Sequence, residues 1–141
     1  MINQAEIIIT RLQKKGMRKT KALVELIQTL LEDNTPRTLA EIHSSKRLIE
    51  QCDKATVFRL LQKLVVHGEV RRLGLHERAA YFELLMSGQH RDYLVCTTCG
   101  SIEPIDAPCP VSKLENEIRL KTGYQNLHHE LEFFGICPSC K

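Results

Sequence analysis

The sequence predicts an α+β chain in two parts, an N-terminal winged helix-turn-helix followed by a smaller mixed α/β unit that carries a structural zinc ion. Three observations support this expectation. Apolar residues recur at helical spacing as far as Val65, the pattern changes to strand-like alternation after Gly68, and two C-x-x-C pairs stand in the last third of the chain.

The helices come first. Ala5, Ile8, Ile9 and Leu12 fall at i, i+3, i+4 and i+7, the stripe of an amphipathic helix. After Gly16, Leu23, Ile27, Leu30 and Leu31 repeat the pattern behind Thr20, an N-cap residue. Thr38 and Glu41 have capping-box spacing, so a third helix should start there with Leu39, Ile42 and Ile49 inward. A polar break at residues 50–53 precedes Val57, Leu60, Leu61, Leu64 and Val65, a fourth helix capped by Asp53 and stopped by Gly68. The third and fourth helices make the helix-turn-helix.

The segments EVRRLGL and AAYFELL then alternate as strands, with His76-Glu77-Arg78 between them as the turn of a wing. Residues 86–91 (MSGQHR) are polar and contain Gly, and they read as a linker. The chain accordingly divides into residues 1–86 and 87–141. In the second part, DYLVC reads as a strand. A helix starting near Pro110 and ending at Gly123 should turn Val111, Leu114 and Ile118 inward, and a strand HHELEFFGIC follows.

Composition narrows the class of function. The 141 residues are 43% hydrophobic and 26% charged, ordinary for a soluble globular protein. No run approaches the roughly 18 apolar residues that span a bilayer. The N-terminus MINQAEIIITRLQKK is broken by Asn3, Gln4 and Glu6 and has no small-residue cleavage site, which marks an amphipathic helix and not a signal peptide. A cytoplasmic protein without membrane contact is expected. Residues 1–85 hold 15 Lys and Arg against 10 Asp and Glu, a balance of +5, whereas residues 86–141 hold 5 against 7, a balance of −2. The basic first part suits a polyanion, although such an excess is also common on solvated surfaces.

Cys96 and Cys99, paired with Cys137 and Cys140, form the strongest chemical motif. Each knuckle brings two thiolates to one side of a tetrahedral zinc ion, and four soft sulfurs close its shell against water. A closed shell leaves no open position for catalysis. No activated nucleophile, acid/base carboxylate pair or phosphate-binding Gly loop accompanies it, so an enzyme is not expected. The fourth helix supplies the second motif. Lys54, Thr56, Phe58, Arg59, Gln62 and Lys63 lie off its apolar stripe, a mixture of cation, amide, hydroxyl and ring suited to phosphates and base edges.

Read together, Gly16-Met17-Arg18-Lys19-Thr20, Thr56-Val57-Phe58-Arg59, Tyr81-Phe82-Glu83-Leu84, His90-Arg91-Asp92-Tyr93 leading into C-x-x-C-Gly100, Gly123-Tyr124 and Glu132-Phe133-Phe134-Gly135-Ile136-Cys137 resemble the ferric uptake regulator family along nearly the whole chain. The resemblance implies a homodimeric, metal-responsive transcriptional repressor with a C-terminal α/β dimerisation domain, controlling metal homeostasis or oxidative-stress genes. Its partner would be double-stranded DNA carrying a palindromic operator. The family's structural zinc falls on Cys96, Cys99, Cys137 and Cys140. Its DNA contacts fall on Arg18, Thr56, Phe58 and Arg59, with Phe58 standing where Tyr is usual.

The resemblance is weakest at the regulatory metals. One family site falls on Pro36, Glu83, Arg91 and Tyr93, where three imidazoles are missing and Arg91 cannot coordinate. The other falls on His90, Asp92, Ser112 and His129. Its absent carboxylate is supplied either by Glu115, one turn along the helix, or in its place a thiolate by Cys109. The expected second metal, Fe2+, Zn2+ or Mn2+, is therefore assigned to His90, Asp92, His129 and Glu115, with Cys109 open as the alternative. A zinc-ribbon protein whose helix-turn-helix binds a protein partner is the competing function. Cys52 reads as a small buried residue, and His43, His67, His76 and His128 as surface histidines.

Overall fold

The computed structural model describes residues 3–76, 79–85, 92–105, 107–125 and 127–141. In chain order the elements are α1 (Gln4–Lys14), α2 (Lys21–Glu32), β1 (Arg37–Thr38), α3 (Leu39–His43), α4 (Lys54–Val66), β2 (Val70–His76), β3 (Ala79–Leu84), β4 (Tyr93–Cys96), β5 (Ile102–Pro104), α5 (Ser112–Thr122) and β6 (Glu132–Gly135). They form two compact units, Met1–Ser87 and Gly88–Lys141. The expected linker, residues 86–91, lies outside the described residues, as do Glu77 and Arg78 of the wing turn.

The first unit is built on its helix stripes. Ala5, Ile8, Ile9 and Leu12 of α1 are buried against Leu23, Leu26, Ile27 and Leu30 of α2, and Val57, Leu61 and Leu64 of α4 complete the core with Phe82 of β3. The caps set where the helices start. Thr20 Oγ1 accepts from the Leu23 amide at 3.1 Å, and Asp53 Oδ1 accepts from the Thr56 amide at 2.8 Å. At α3 the Glu41 amide donates to Thr38 Oγ1 at 3.2 Å, while the Thr38 hydroxyl donates to the Glu41 carboxylate at 3.0 Å. Arg11 grips the buried Glu69 through Nε at 2.9 Å and Nη2 at 2.7 Å, tying α1 to the junction of α4 and β2.

Two expectations in this unit need correction. α3 ends at His43, and turns lead on to α4. Breaking the helix shifts its phase, so Leu48 is fully buried while Ile49 is 53% exposed. The wing also has a third strand. The sheet order is β1-β3-β2, with Arg37 opposite Phe82 and Thr38 opposite Tyr81.

In the second unit β4 is central, antiparallel to β5 and parallel to β6. β5 was not foreseen. Gly100, at φ +78°, permits the reversal between β4 and β5 that a residue with a side chain resists. Gly123 ends α5 in the left-handed conformation, as its position predicts. However, α5 buries none of its residues in this unit, and Leu114 and Ile118 are 52% and 40% exposed, against the expectation that they face inward. Among the described residues no other element covers that face of α5. β6 starts only at Glu132, so His128 and His129 precede the strand instead of lying on it.

Candidate metal centres and nucleic-acid interface

The parallel pairing of β4 with β6 places the ends of the two C-x-x-C knuckles side by side. Cys96 ends β4, opposite Gly135 of β6, and Cys137 follows two residues later. The Thr97 amide donates to the Gly135 carbonyl at 2.8 Å, locking the first knuckle to the strand that precedes the second. The four Sγ atoms of Cys96, Cys99, Cys137 and Cys140 lie within 4.8 Å of one another. Cys99 Sγ and Cys137 Sγ are 3.8 Å apart. With Zn–S bonds of about 2.3 Å, a tetrahedron has an S···S edge of about 3.8 Å, so the donor set fits zinc. It does not fit a disulfide, whose sulfurs stand about 2 Å apart, and all the cysteines are free.

The surroundings of these thiols differ. Cys96 Sγ accepts from the Cys99 amide at 3.4 Å and the Cys137 amide at 3.3 Å, and these backbone donors pull its pKa down to about 5. Hydrogen bonding to Ser101 lowers that of Cys99. Cys140, hemmed in by the sulfurs of Cys137 and Cys99, is pushed up to about 12. Without metal, Cys96 holds a thiolate far more readily than Cys140 does.

A second cluster lies at the other end of β4. Asp92, buried, directly precedes that strand, and the Tyr93 amide donates to the Leu131 carbonyl at 3.1 Å, drawing the segment before β6 alongside. The ligand atoms of Asp92, Cys109 and His129 come within 4.8 Å of one another. Cys109 Sγ is 3.0 Å from His129 Nε2. Burial, together with the Asp92 carboxylate, raises the Cys109 pKa, partly offset by the Val111 amide. Glu115 contacts the other ring nitrogen of His129, Nδ1, and is itself held by Arg119 Nη2 at 2.9 Å. Of the expected set, Asp92 and His129 thus converge, and Cys109 joins them. Glu115 takes the far side of the imidazole, and His90 lies outside the described residues. Cys109, flanked by Pro108 and Pro110, was legible in the sequence only as an alternative.

The residues matching the other regulatory site have different neighbours. Glu83, buried on β3, faces Arg71 across the wing, with Arg71 Nε 3.3 Å from its carboxylate. Tyr93 is fully buried in the second unit, and Arg91 lies outside the described residues.

On α4, Lys54, Arg59, Gln62 and Lys63 are exposed and Thr56 is half-exposed. Arg59 Nη2 donates to Thr56 Oγ1 at 3.4 Å, so the two side chains sit together on the outer face. Arg59, Gln62, Lys63, Val66 and His67 line an open concavity. Phe58 is half-buried and packs against the core, which gives it less free surface than a residue wholly off the apolar stripe. Arg18 is exposed between α1 and α2. Cys52 is half-buried against the core, its pKa raised by desolvation, and His43 Nε2 donates to its carbonyl at 2.8 Å, so both have structural partners.

Known proteins share this architecture. The model of the ferric uptake regulator family matches residues 14–134. The ferric uptake regulation protein of Legionella pneumophila is 28% identical over 134 residues, covering 93% of this chain and 96% of that protein. A peroxide-responsive repressor of Staphylococcus saprophyticus is 24% identical, covering 99% and 93%. The solved structure of a ferric uptake regulator from Pseudomonas aeruginosa with manganese superposes with a TM-score of 0.73 at 25% identity, covering 92% of this chain and 97% of that one.

Proposed function

The chain belongs to the ferric uptake regulator family, and from that premise we propose that it is a metal-responsive transcriptional repressor that binds operator DNA as a homodimer. The observation that carries the reading is the family match over residues 14–134, in a chain whose α4 presents Thr56 and Arg59 outward from a buried helix stripe. Family membership favours DNA over a protein partner for the helix-turn-helix, and a transcription factor over an enzyme. No described helix is long and apolar enough to cross a membrane.

Division of labour follows the two units, residues 1–86 for DNA and 87–141 for dimerisation and metal. Thr56 and Arg59 read base edges from α4, with the exposed part of Phe58 beside them, and Arg18 neutralises a phosphate. Zinc on Cys96, Cys99, Cys137 and Cys140 is structural: it binds the end of β4 to the segment after β6, so its binding free energy is part of the folding free energy. A second, exchangeable divalent ion sits at Asp92 and His129, with His90 contributing from the segment before β4, and it controls operator affinity. Glu83 is engaged by Arg71, so the family's other regulatory position is inactive here.

Two copies with symmetry-related recognition helices read a palindromic operator, with half-sites about one helical turn apart. The test is operator footprinting with purified zinc-loaded protein, with and without a second equivalent of metal. Protection of a two-fold symmetric site that requires the second equivalent in wild type, and is lost in His129→Ala with structural zinc retained, is the expected result. Equal protection by both proteins without added metal rejects the regulatory assignment.

A further inference from the structure

We propose that Cys109 ligates the exchangeable ion as a thiolate together with Asp92 and His129, so that the sensor site takes thiophilic divalent ions of the zinc class in preference to manganese, while Glu115 orients His129 from outside the ligand shell. This deepens the regulatory reading above and rests on it.

The geometry leads there directly. Cys109 Sγ lies 3.0 Å from His129 Nε2, and the Asp92 carboxylate completes a cluster spanning less than 4.8 Å. Glu115 contacts Nδ1, the opposite ring nitrogen. The two nitrogen lone-pair directions of an imidazole diverge, so an ion held by Nε2 beside Cys109 lies out of reach of a carboxylate on Nδ1. A carboxylate in that place has another use: it accepts a hydrogen bond from Nδ1–H, which fixes the tautomer and turns the Nε2 lone pair toward the ion. Arg119, 2.9 Å from Glu115 Oε1, already balances that carboxylate's charge.

Cys109 is also held in place. Proline follows it at 110 and precedes it at 108, restricting the backbone on both sides. The Ser112 hydroxyl donates to the Cys109 carbonyl at 3.2 Å. A thiolate, a carboxylate and a neutral imidazole together carry two negative charges. In that state, packed this closely, they suit a divalent cation, which takes the place of the proton that thiol and imidazole otherwise share. Substituting soft sulfur for a carboxylate oxygen is what separates sites for zinc-class ions from sites for manganese.

The experiment uses the full-length chain with its four-cysteine site filled by zinc and cobalt(II) added as the spectroscopic probe of the second site. In wild type the second equivalent should develop a thiolate-to-cobalt charge-transfer band. Cys109→Ser should lose that band and at least roughly tenfold in zinc affinity, with manganese affinity nearly unchanged. Glu115→Gln should keep the band while weakening metal binding by about 10- to 100-fold. A band that persists in Cys109→Ser, or an unchanged zinc-to-manganese ratio, overturns the proposal.

A measurement on unmutated protein covers the case in which the serine variant misfolds. Second-site zinc should slow alkylation of Cys109, read by peptide mass mapping, and an unchanged rate overturns the assignment. Operator binding measured in parallel separates the two claims. If metal ligation depends on Cys109 while operator binding ignores the metal, the regulatory reading fails and the ligand assignment stands. If His129→Ala abolishes the metal response while the cobalt band ignores Cys109, the ligand assignment alone fails.

Discussion

At the scale of single residues, the four zinc thiols do not share the work of binding equally. Cys96 is already a thiolate at neutral pH because two amides point at its sulfur, whereas Cys140, held near 12, remains a thiol. Zinc needs all four deprotonated, so binding at pH 7 expels at least the Cys140 proton. Apparent affinity should therefore rise with pH, about tenfold per unit for each proton released, and fall more steeply below about pH 5, where Cys96 also takes up a proton. Competition with a chelator across pH 5 to 8 measures the slope, and a flat profile contradicts this ordering. In the metal-free chain the signs differ between residues. Cys96, lowered from 9.0 to about 5, adds stability as pH rises through that window, whereas Cys140, raised from 9.0 to about 12, stabilises at low pH and loses that contribution between those values. On the DNA side, Arg59→Ala should cost about 1–3 kcal/mol at the operator if the guanidinium reads a base edge. Arg18→Ala should instead reduce the salt dependence of binding by about one unit, as expected for a lost phosphate contact. Binding titrations at several salt concentrations distinguish the two, and equal effects on operator and unrelated duplex would remove Arg59 from base recognition.

At the scale of elements, the caps and clamps that define the DNA-binding unit can be tested one by one. Thr20→Ala removes the acceptor for the Leu23 amide and should cost about 1 kcal/mol, measured by urea unfolding. Arg11→Ala leaves the buried Glu69 carboxylate without its two-pronged partner and should cost about 1–3 kcal/mol, even with Arg11 itself half-exposed. Lysine should restore only part of this, since an ammonium cannot copy the fork. These elements also show what the sequence discloses. α1, α2 and α4 were legible because their apolar residues keep one helical phase, with Thr20 and Asp53 readable as caps for α2 and α4; the structure adds Asn3 as the cap of α1. Ile49 was misplaced because periodicity assumes an unbroken helix, and the break after His43 lets Leu48 take the interior position. β1 and β5, at two and three residues, are too short to display alternation and form only because β3 and β4 offer free edges. The zinc cluster was legible from spacing alone. The second cluster was only half legible: the β4–β6 pairing draws the segment of His129 beside Asp92, while Cys109 arrives from the loop between β5 and α5, 20 residues from His129, and no local pattern reveals that approach.

At the scale of the whole molecule, the second unit leaves apolar surface open to a partner. β6 is an edge strand, and Phe133, Phe134 and Ile136 stand 48%, 56% and 62% exposed, with Leu94 on the neighbouring strand and Leu114 and Ile118 on α5 also open. Leu94 and Phe133, paired across β4 and β6, share one face of the sheet and Phe134 lies on the other; exposed apolar side chains in this number on so small a unit mark an interaction site. Covering a fully exposed large apolar side chain stabilises by roughly 1.5–3 kcal/mol; these side chains are about half-exposed, so each contributes less and several from each copy must be covered to offset the cost of association. The same strand runs directly into Cys137, and its backbone is tied to the first zinc knuckle through Gly135 and Thr97. The four-cysteine cluster and this sheet edge are therefore tied together within the second unit, and substitutions there test whether the edge is where two copies meet. Phe134→Asp should shift the protein toward monomer in sedimentation equilibrium while leaving zinc at one equivalent per chain, because the substitution spoils the surface and not the metal site. Cys140→Ser should lose both zinc and dimer, because the segment that holds β6 in register is released. Each variant should bind a single half-site weakly and a full operator no better, the loss expected when two linked contacts become one. If the Phe134 variant stays dimeric with wild-type operator affinity, the open face of the second unit is not where the copies meet, and the link from zinc to DNA must run through another surface.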